Sequence, residues 1–180
     1  MSDYKILNRF LCCDSTDIEI LLDLNNQPLA NSYHDNTKEM DEYPLSVNIC
    51  NNCYHIQLTH VVNPNLLFKD YLYVSGTTKT LHDNMKWFVD YVLETTIWGK
   101  GNSVLDIACN DGTQLNYFKE EGFKTYGVDP AENLHKLSSE NHKVVCDYFN
   151  ADKFDRQFDV ITAQNVFAHN SNPKEFLEHC

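Results

Sequence analysis

The chain has 180 residues, 42% hydrophobic and 22% charged, with only six Gly and five Pro, which suits a folded chain of one full domain or two small ones and argues against disorder. Fourteen basic against 26 acidic residues leave a net charge of -12, a field that repels phosphate backbones and anionic bilayers, so neither nucleic acid nor a membrane is expected as a partner. No apolar run approaches the roughly 20 residues of a membrane span, and the opening MSDYKILNRF lacks a signal peptide's apolar stretch, so a cytoplasmic location is expected.

The first part, to residue 76, reads as a small β-rich module with turn signals at Asn25-Asn26-Gln27-Pro28 and Asn63-Pro64. Residues 45–49 and 54–58 alternate apolar and polar on either side of Cys50-Asn51-Asn52-Cys53, which predicts two strands joined through a cysteine turn. In a reducing compartment the seven cysteines read as metal ligands or core residues rather than disulfides. From Leu81 the pattern becomes helical, with Trp87, Phe88, Tyr91, Val92 and Ile97 recurring before Gly99 and Gly101 stop the helix. The domain boundary is placed near Ser75-Gly76-Thr77, giving units 1–76 and 77–180.

The second unit alternates strand and helix: strand 103–107, helix 111–121 capped by Asp111, strand 124–128, helix 131–139, strand 144–146, strand 158–163, and a last helix begun by Asn172-Pro173. Such units predict an α/β fold, a doubly wound parallel sheet of about four strands with helices on both faces. Ending near the fourth strand would leave a sheet edge uncovered, so the chain reads as the front part of something longer, with self-association or a partner chain expected at that edge.

Strand 103–107 runs into the small-residue turn Ala108-Cys109-Asn110-Asp111-Gly112, where backbone N–H groups can approach a ligand closely. One unit later Gly127-Val128-Asp129-Pro130 places an acid at a strand tip, a position from which a carboxylate accepts both hydroxyls of a ribose. These residues resemble the class I S-adenosylmethionine-dependent methyltransferases, with Asp106, Ala108, Asn110 and Gly112 in the turn and alanine where glycine is common.

More of the chain narrows the resemblance. Asp23-Leu24-Asn25-Asn26-Gln27-Pro28-Leu29-Ala30-Asn31-Ser32, Tyr43-Pro44-Leu45, Cys50-Asn51-Asn52-Cys53, Gln57-Leu58, Tyr71-Leu72-Tyr73-Val74-Ser75, Asn110-Asp111-Gly112, Val128-Asp129-Pro130-Ala131 and Asn165-Val166-Phe167-Ala168-His169 look like the sugar C-methyltransferase family. That family joins a zinc-binding module to a Rossmann-like methyltransferase core and a C-terminal domain, and acts on nucleotide-linked 4-keto-deoxysugars.

The resemblance implies S-adenosylmethionine as cofactor, Asp129 on its ribose, Asp147 and Tyr148 about the adenine, Gln164 and Asn165 where sulfonium and substrate meet, and Tyr73 and His169 as catalytic residues. Each of the last two also fits a plainer role, Tyr73 as a core aromatic and His169 as a loop cap. The family's zinc site uses two Cys-x-x-Cys knuckles, because four thiolates close a tetrahedral site. Here Cys50 and Cys53 are intact, while Phe10 stands where the partner of Cys13 belongs. Zinc on Cys13, Cys50, Cys53 and a fourth ligand such as Cys12 or His55 is one reading; cysteines kept as small core residues without metal is the other. His82 and His60 read as capping or surface residues, and Cys109 as an incidental small residue. The family's distal Tyr-x-Glu-His segment has no counterpart in these 180 residues. An inactive remnant or binding module, and a methyltransferase for another small molecule, are therefore the competing readings.

Overall fold

A computed structural model describes residues 3–30, 32–33 and 40–180; Asn31, part of one segment that carries the resemblance, lies outside them. The chain divides into two compact units, one of residues 1–69 with 171–175 and the other of 70–170 with 176–180.

In the first unit β1 (Tyr4–Ile6) pairs antiparallel with β5 (His60–Val62), while β2 (Ile18–Pro28), β3 (Glu42–Cys50) and β4 (Ile56–Leu58) form an antiparallel sheet in the order β2-β3-β4. The expected strands on either side of the cysteine turn are β3 and β4, paired Val47 to Leu58 and Ile49 to Ile56. β2 corrects the sequence reading, because Asn25-Asn26-Gln27-Pro28 lies within a strand rather than a turn. Asn25 adopts φ 58° and donates its N–H to Asp23 Oδ1, so its turn chemistry is confined to a bulge, after which pairing resumes at Asn26 opposite Pro44. A second bulge falls between Ile20 and Leu22. Asn63 caps the short helix α1 (Pro64–Phe68) by accepting from the Asn65 N–H. Few side chains of this unit are buried, chiefly Leu7, Phe10, Cys50, Ser46, Asn48 and Thr59, a core of the size that usually needs a metal or cross-link to hold it.

In the second unit α2 (Lys79–Thr95) starts at Thr78, whose hydroxyl accepts from the Leu81 N–H. The strands β6 (Ser103–Ile107), β7 (Lys124–Val128), β8 (Lys143–Val145) and β9 (Val160–Thr162) form a parallel sheet in the order β8-β7-β6-β9. The helices α3 (Thr113–Glu120) and α4 (His135–Ser138) belong to this unit, together with the later part of α5 (Pro173–His179), whose residues 173–175 are counted with the first unit. α4 is shorter than the expected 131–139, its first part being turns. Because strand side chains alternate, Val104 joins Val89, Val92, Leu115 and Phe118 in one apolar cluster, whereas Leu105 and Ile107 join Tyr126, Val128 and Phe176 in another. The helical spacing of residues 87–97 is partly corrected: Val89 and Val92 are buried, but Trp87 and Tyr91 stack on each other in the open, and Ile97 lies beyond the end of α2.

Residues 70–76, read from sequence as part of the first unit, belong to the second. Their backbone is tied to it: Ser75 N–H donates to Asn110 Oδ1, Gly76 N–H to Asp111 Oδ2, and Tyr71 exchanges two hydrogen bonds with the Asn133 amide. The chain leaves β6 for β7 and β8 on one side and returns as β9 on the other, so the strand order reverses beside β6, the place where open α/β sheets form a crevice.

Candidate active site and cysteine cluster

The turn after β6 is built on left-handed backbone: Ala108 at φ 58°, Asn110 at 52° and Gly112 at 82°. Asparagine tolerates this conformation and glycine adopts it freely, which is why the segment turns so tightly into α3. Glycine is required at 112, where an added Cβ would lie 3.1 Å from His142 Cδ2 and 3.2 Å from Ser138 Cα. Ala108, the departure from glycine, is exposed, and its N–H donates to Val128 O at 2.7 Å.

Asp129, at the tip of β7, is buried and accepts from two backbone donors, Asn110 N–H on Oδ2 and Ala131 N–H on Oδ1, both at 2.8 Å. Burial raises its carboxyl above the usual range, and the two N–H groups oppose that rise. A carboxylate oxygen has two lone pairs, so each retains acceptor capacity after one such bond. Asn110 in turn accepts from Ser75 N–H at 2.9 Å and donates to Tyr73 O at 3.0 Å, so one side chain links the turn to the segment carrying Tyr73. The Tyr73 ring is half exposed and meets Tyr71 edge-on at 6.3 Å. Burial, with Tyr73 and Asp129 nearby, raises the Tyr71 hydroxyl. Tyr148 is pushed up to about 12 by burial, then by Asp147 and Asp129.

Asp106 sits within the sheet, opposite Gly127 and Thr162, and takes a 2.6 Å bond from Thr162 Oγ1. Burial pushes it up to about 7, against the Thr162 bond and with help from Asp129. Gln164 follows β9 and donates to Gln114 Oε1 at 2.9 Å; Gln114 is buried and donates to Met85 O. Asn165 is exposed at φ 55°, and His169 lies exposed on the short turn Phe167–His169 beyond β9. Asp147 accepts the Tyr148 N–H and pairs with Lys153. His82, expected at a cap or in solvent, instead bonds Tyr117 OH through Nδ1 at 2.7 Å and Gly76 O through Nε2 at 3.2 Å. A carbonyl only accepts, so Nε2 carries the proton.

Thus Asp106, Ala108, Asn110, Gly112 and Asp129 gather at the C-terminal ends of β6 and β7, with the Tyr73 segment tied to them through Asn110, while Tyr148 follows β8 and Gln164, Asn165 and His169 lie on the chain beyond the C-terminal end of β9. Sequence reasoning missed the supporting residues Gln114, Thr162 and Asn133. Only Asn133, an asparagine just after the acid-bearing strand tip, left a readable signal.

In the first unit, Cys13, Cys50 and Cys53 bring their sulfurs within 4.8 Å of one another, Cys13 and Cys50 at 3.6 Å. Burial pushes the Cys50 thiol up, but the N–H groups of Cys53 and Asn52 and the neighbouring thiols bring it down to about 7. Soft thiolates grouped this closely fit a zinc ion and supply three of its usual four ligands. Cys12, proposed from sequence as a fourth, is exposed and outside the group, since adjacent residues on a tight turn do not converge on one point.

Residues 11–68 match the family model described as "Putative zinc binding domain" and residues 80–180 the model described as "Methyltransferase domain". The chain is 33% identical over 98 residues to the C-methyltransferase NovU of Streptomyces niveus, covering 54% of this chain and 23% of that protein. It is 28% identical over 122 residues to a ubiquinone biosynthesis O-methyltransferase of Coxiella burnetii, covering 63% of this chain and 52% of the other. The chain thus spans about a quarter to a half of these relatives. Among solved structures, the plantazolicin methyltransferase BpumL in complex with SAH aligns with a TM-score of 0.41 and 24% identity, over 54% of this chain and 40% of that one. Among the described residues no helix is long and apolar enough to cross a membrane.

Proposed function

We propose, for a chain that belongs to the methyltransferase domain family, that it binds S-adenosylmethionine and serves methyl transfer to a carbon beside a ketone on a nucleotide-linked deoxysugar. The observation that carries the reading is Asp129: a buried acid at a strand tip, fixed by two backbone N–H donors, next to a left-handed turn. In this reading Asp129 holds the ribose hydroxyls, the turn from Asp106 to Gly112 faces the methionine part, and Tyr148 and Asp147 flank the adenine. The cofactor supplies an electrophilic sulfonium methyl, and the acids Asp111 and Asp129 make a negative surrounding that suits a cation.

A carbon beside a ketone gives up its proton only if a base takes it while a donor steadies the enolate oxygen. His169 has the right chemistry for the base and Tyr73 for the donor. Gln164, steadied by Gln114, and Asn165 orient the acceptor, and transfer needs little beyond alignment. The sugar class is favoured by the C-methyltransferase relative together with the segment Gln27-Pro28-Leu29-Ala30-Asn31; the O-methyltransferase relative favours a different small acceptor. The open side of β9 is proposed to take further chain or a second copy, which sedimentation at several concentrations would reveal.

The test is calorimetric titration of the 180-residue chain with S-adenosylhomocysteine, Asp129→Ala alongside. Micromolar binding that the substitution abolishes supports the cofactor site; a folded chain that binds nothing moves the assignment to an inactive remnant or binding module. Mass-detected methylation of a nucleotide-linked 4-keto-deoxysugar against a phenolic acceptor then separates the two acceptor classes.

A further inference from the structure

The two turns that carry the cysteine cluster are copies of one backbone design. In the second, Cys50 N–H donates to His55 O at 3.0 Å, Tyr54 N–H donates to Cys50 O at 2.9 Å, and Tyr54 is left-handed at φ 60°. In the first, Phe10 N–H donates to Ser15 O at 2.9 Å, Asp14 N–H donates to Phe10 O at 2.9 Å, and Asp14 is left-handed at φ 59°. Position by position, Phe10 corresponds to Cys50, Cys12 to Asn52 and Cys13 to Cys53. The place that would hold a fourth sulfur is therefore taken by Phe10, which is fully buried with its ring edge-on to His55 at 6.3 Å. Among the described residues no further His, Cys, Asp or Glu, Cys12 and His55 included, joins the group of ligand atoms formed by Cys13, Cys50 and Cys53. Cys13 is half-buried and Cys53 exposed, so the cluster reaches solvent.

We propose that Cys13, Cys50 and Cys53 bind a zinc ion through three sulfurs only, with its fourth coordination position open to an exchangeable small ligand such as water or a free thiol. Protein zinc sites closed by four side chains exchange nothing, whereas three-ligand sites keep a position for an outside molecule. The assignment uses the first unit alone, so it stands or falls separately from cofactor binding by the second.

The experiment is zinc K-edge absorption on the purified full chain loaded with one equivalent of zinc, joined to visible spectra of the cobalt-substituted chain. Expected are three sulfur scatterers and one light atom, and a cobalt spectrum that shifts when 2-mercaptoethanol or imidazole is added. Cys12→Ser and His55→Gln should leave both spectra unchanged. Phe10→Cys should give four sulfurs, tighten zinc by about tenfold or more, and abolish the response to added ligand. Should that variant fail to fold, the response of the unsubstituted chain to added ligand still decides. Four sulfurs in the unsubstituted chain, a spectrum changed by Cys12→Ser or His55→Gln, insensitivity to added ligand, or failure to hold zinc at one equivalent would each overturn the proposal.

Discussion

The backbone N–H of Asn110 donates to Asp129 Oδ2 at 2.8 Å, so the turn after one strand fixes the acid at the tip of the next. The Asn110 side chain meanwhile holds Ser75 and Tyr73. Asn110→Gly keeps the left-handed backbone and the bond to Asp129 but deletes both side-chain bonds. Affinity for S-adenosylhomocysteine is expected to fall about 3- to 10-fold and stability by about 1–2 kcal/mol. Calorimetry paired with thermal unfolding checks this; unchanged affinity would mean that the Tyr73 segment plays no part in the site.

Asp106 has a folded-state value of about 7 against about 4 for an unfolded aspartate, with burial as the main cause. Between these values the native state holds the extra proton, so this residue's contribution to stability is lost as pH rises from about 4 to about 7. Asp106→Asn keeps the Thr162 hydroxyl partnered and removes the titration. Over much of that window His142 contributes a slope of opposite sign, so denaturant midpoints of the variant should rise with pH more steeply than those of the parent chain, with a gain at pH 8 of up to a few kcal/mol.

His142 behaves in the opposite sense. It is buried between Thr125 Oγ1 and Asn116 Oδ1, and burial, then Lys119, lowers it to about 4. Below about 6.5 the unfolded chain takes up a proton that the native state refuses, so stability present above that pH is lost as pH falls toward 4. His142→Gln removes this rise, so in that variant stability should fall as pH goes from about 4 to about 7, the Asp106 contribution standing alone.

Gly127 faces Cys109 across β6 and β7: an added Cβ would lie 2.6 Å from Cys109 Sγ and 3.1 Å from Leu115 Cδ1. Gly127→Ala is expected to cost about 1–3 kcal/mol through overpacking. Adding Cys109→Ala should return part of that loss, a coupling that a double-mutant cycle measures directly.

The strands of the second unit were legible because short segments rich in β-branched and apolar residues stand between Gly, Asn and Asp, as at 103–107 and 124–128. The acid at 129 and the small-residue turn at 108–112 were legible for the same reason, their positions being local. β2 was misread because Asp23 and Asn25 carry real turn chemistry that a bulge absorbs without ending the ladder. The buried face of α2 was ambiguous, since residues 87–93 are apolar at every position but Asp90 and only α3 and β6 decide which side is covered. The partners of Asn110, Gln114 and Asp106 lie 29 or more residues away along the chain in most cases, and no local pattern announces them. The equivalence of Phe10 and Cys50 could be suspected from spacing, but the matching hydrogen bonds needed coordinates.

The two bulges of β2 bear on how the chain behaves in a crowded solution. β2 is an edge strand among the described residues, and Ile20, Leu21, Leu22 and Leu24 are exposed along it, a combination that invites growth of stacked, fibre-like assemblies. Each bulge interrupts the even row of donors and acceptors that an incoming strand would need to copy, and twists the edge away from flatness. The irregular ladder thus works as a kinetic guard on an otherwise sticky border, and straightening it by deleting Asn25 would be expected to trade solubility for regularity.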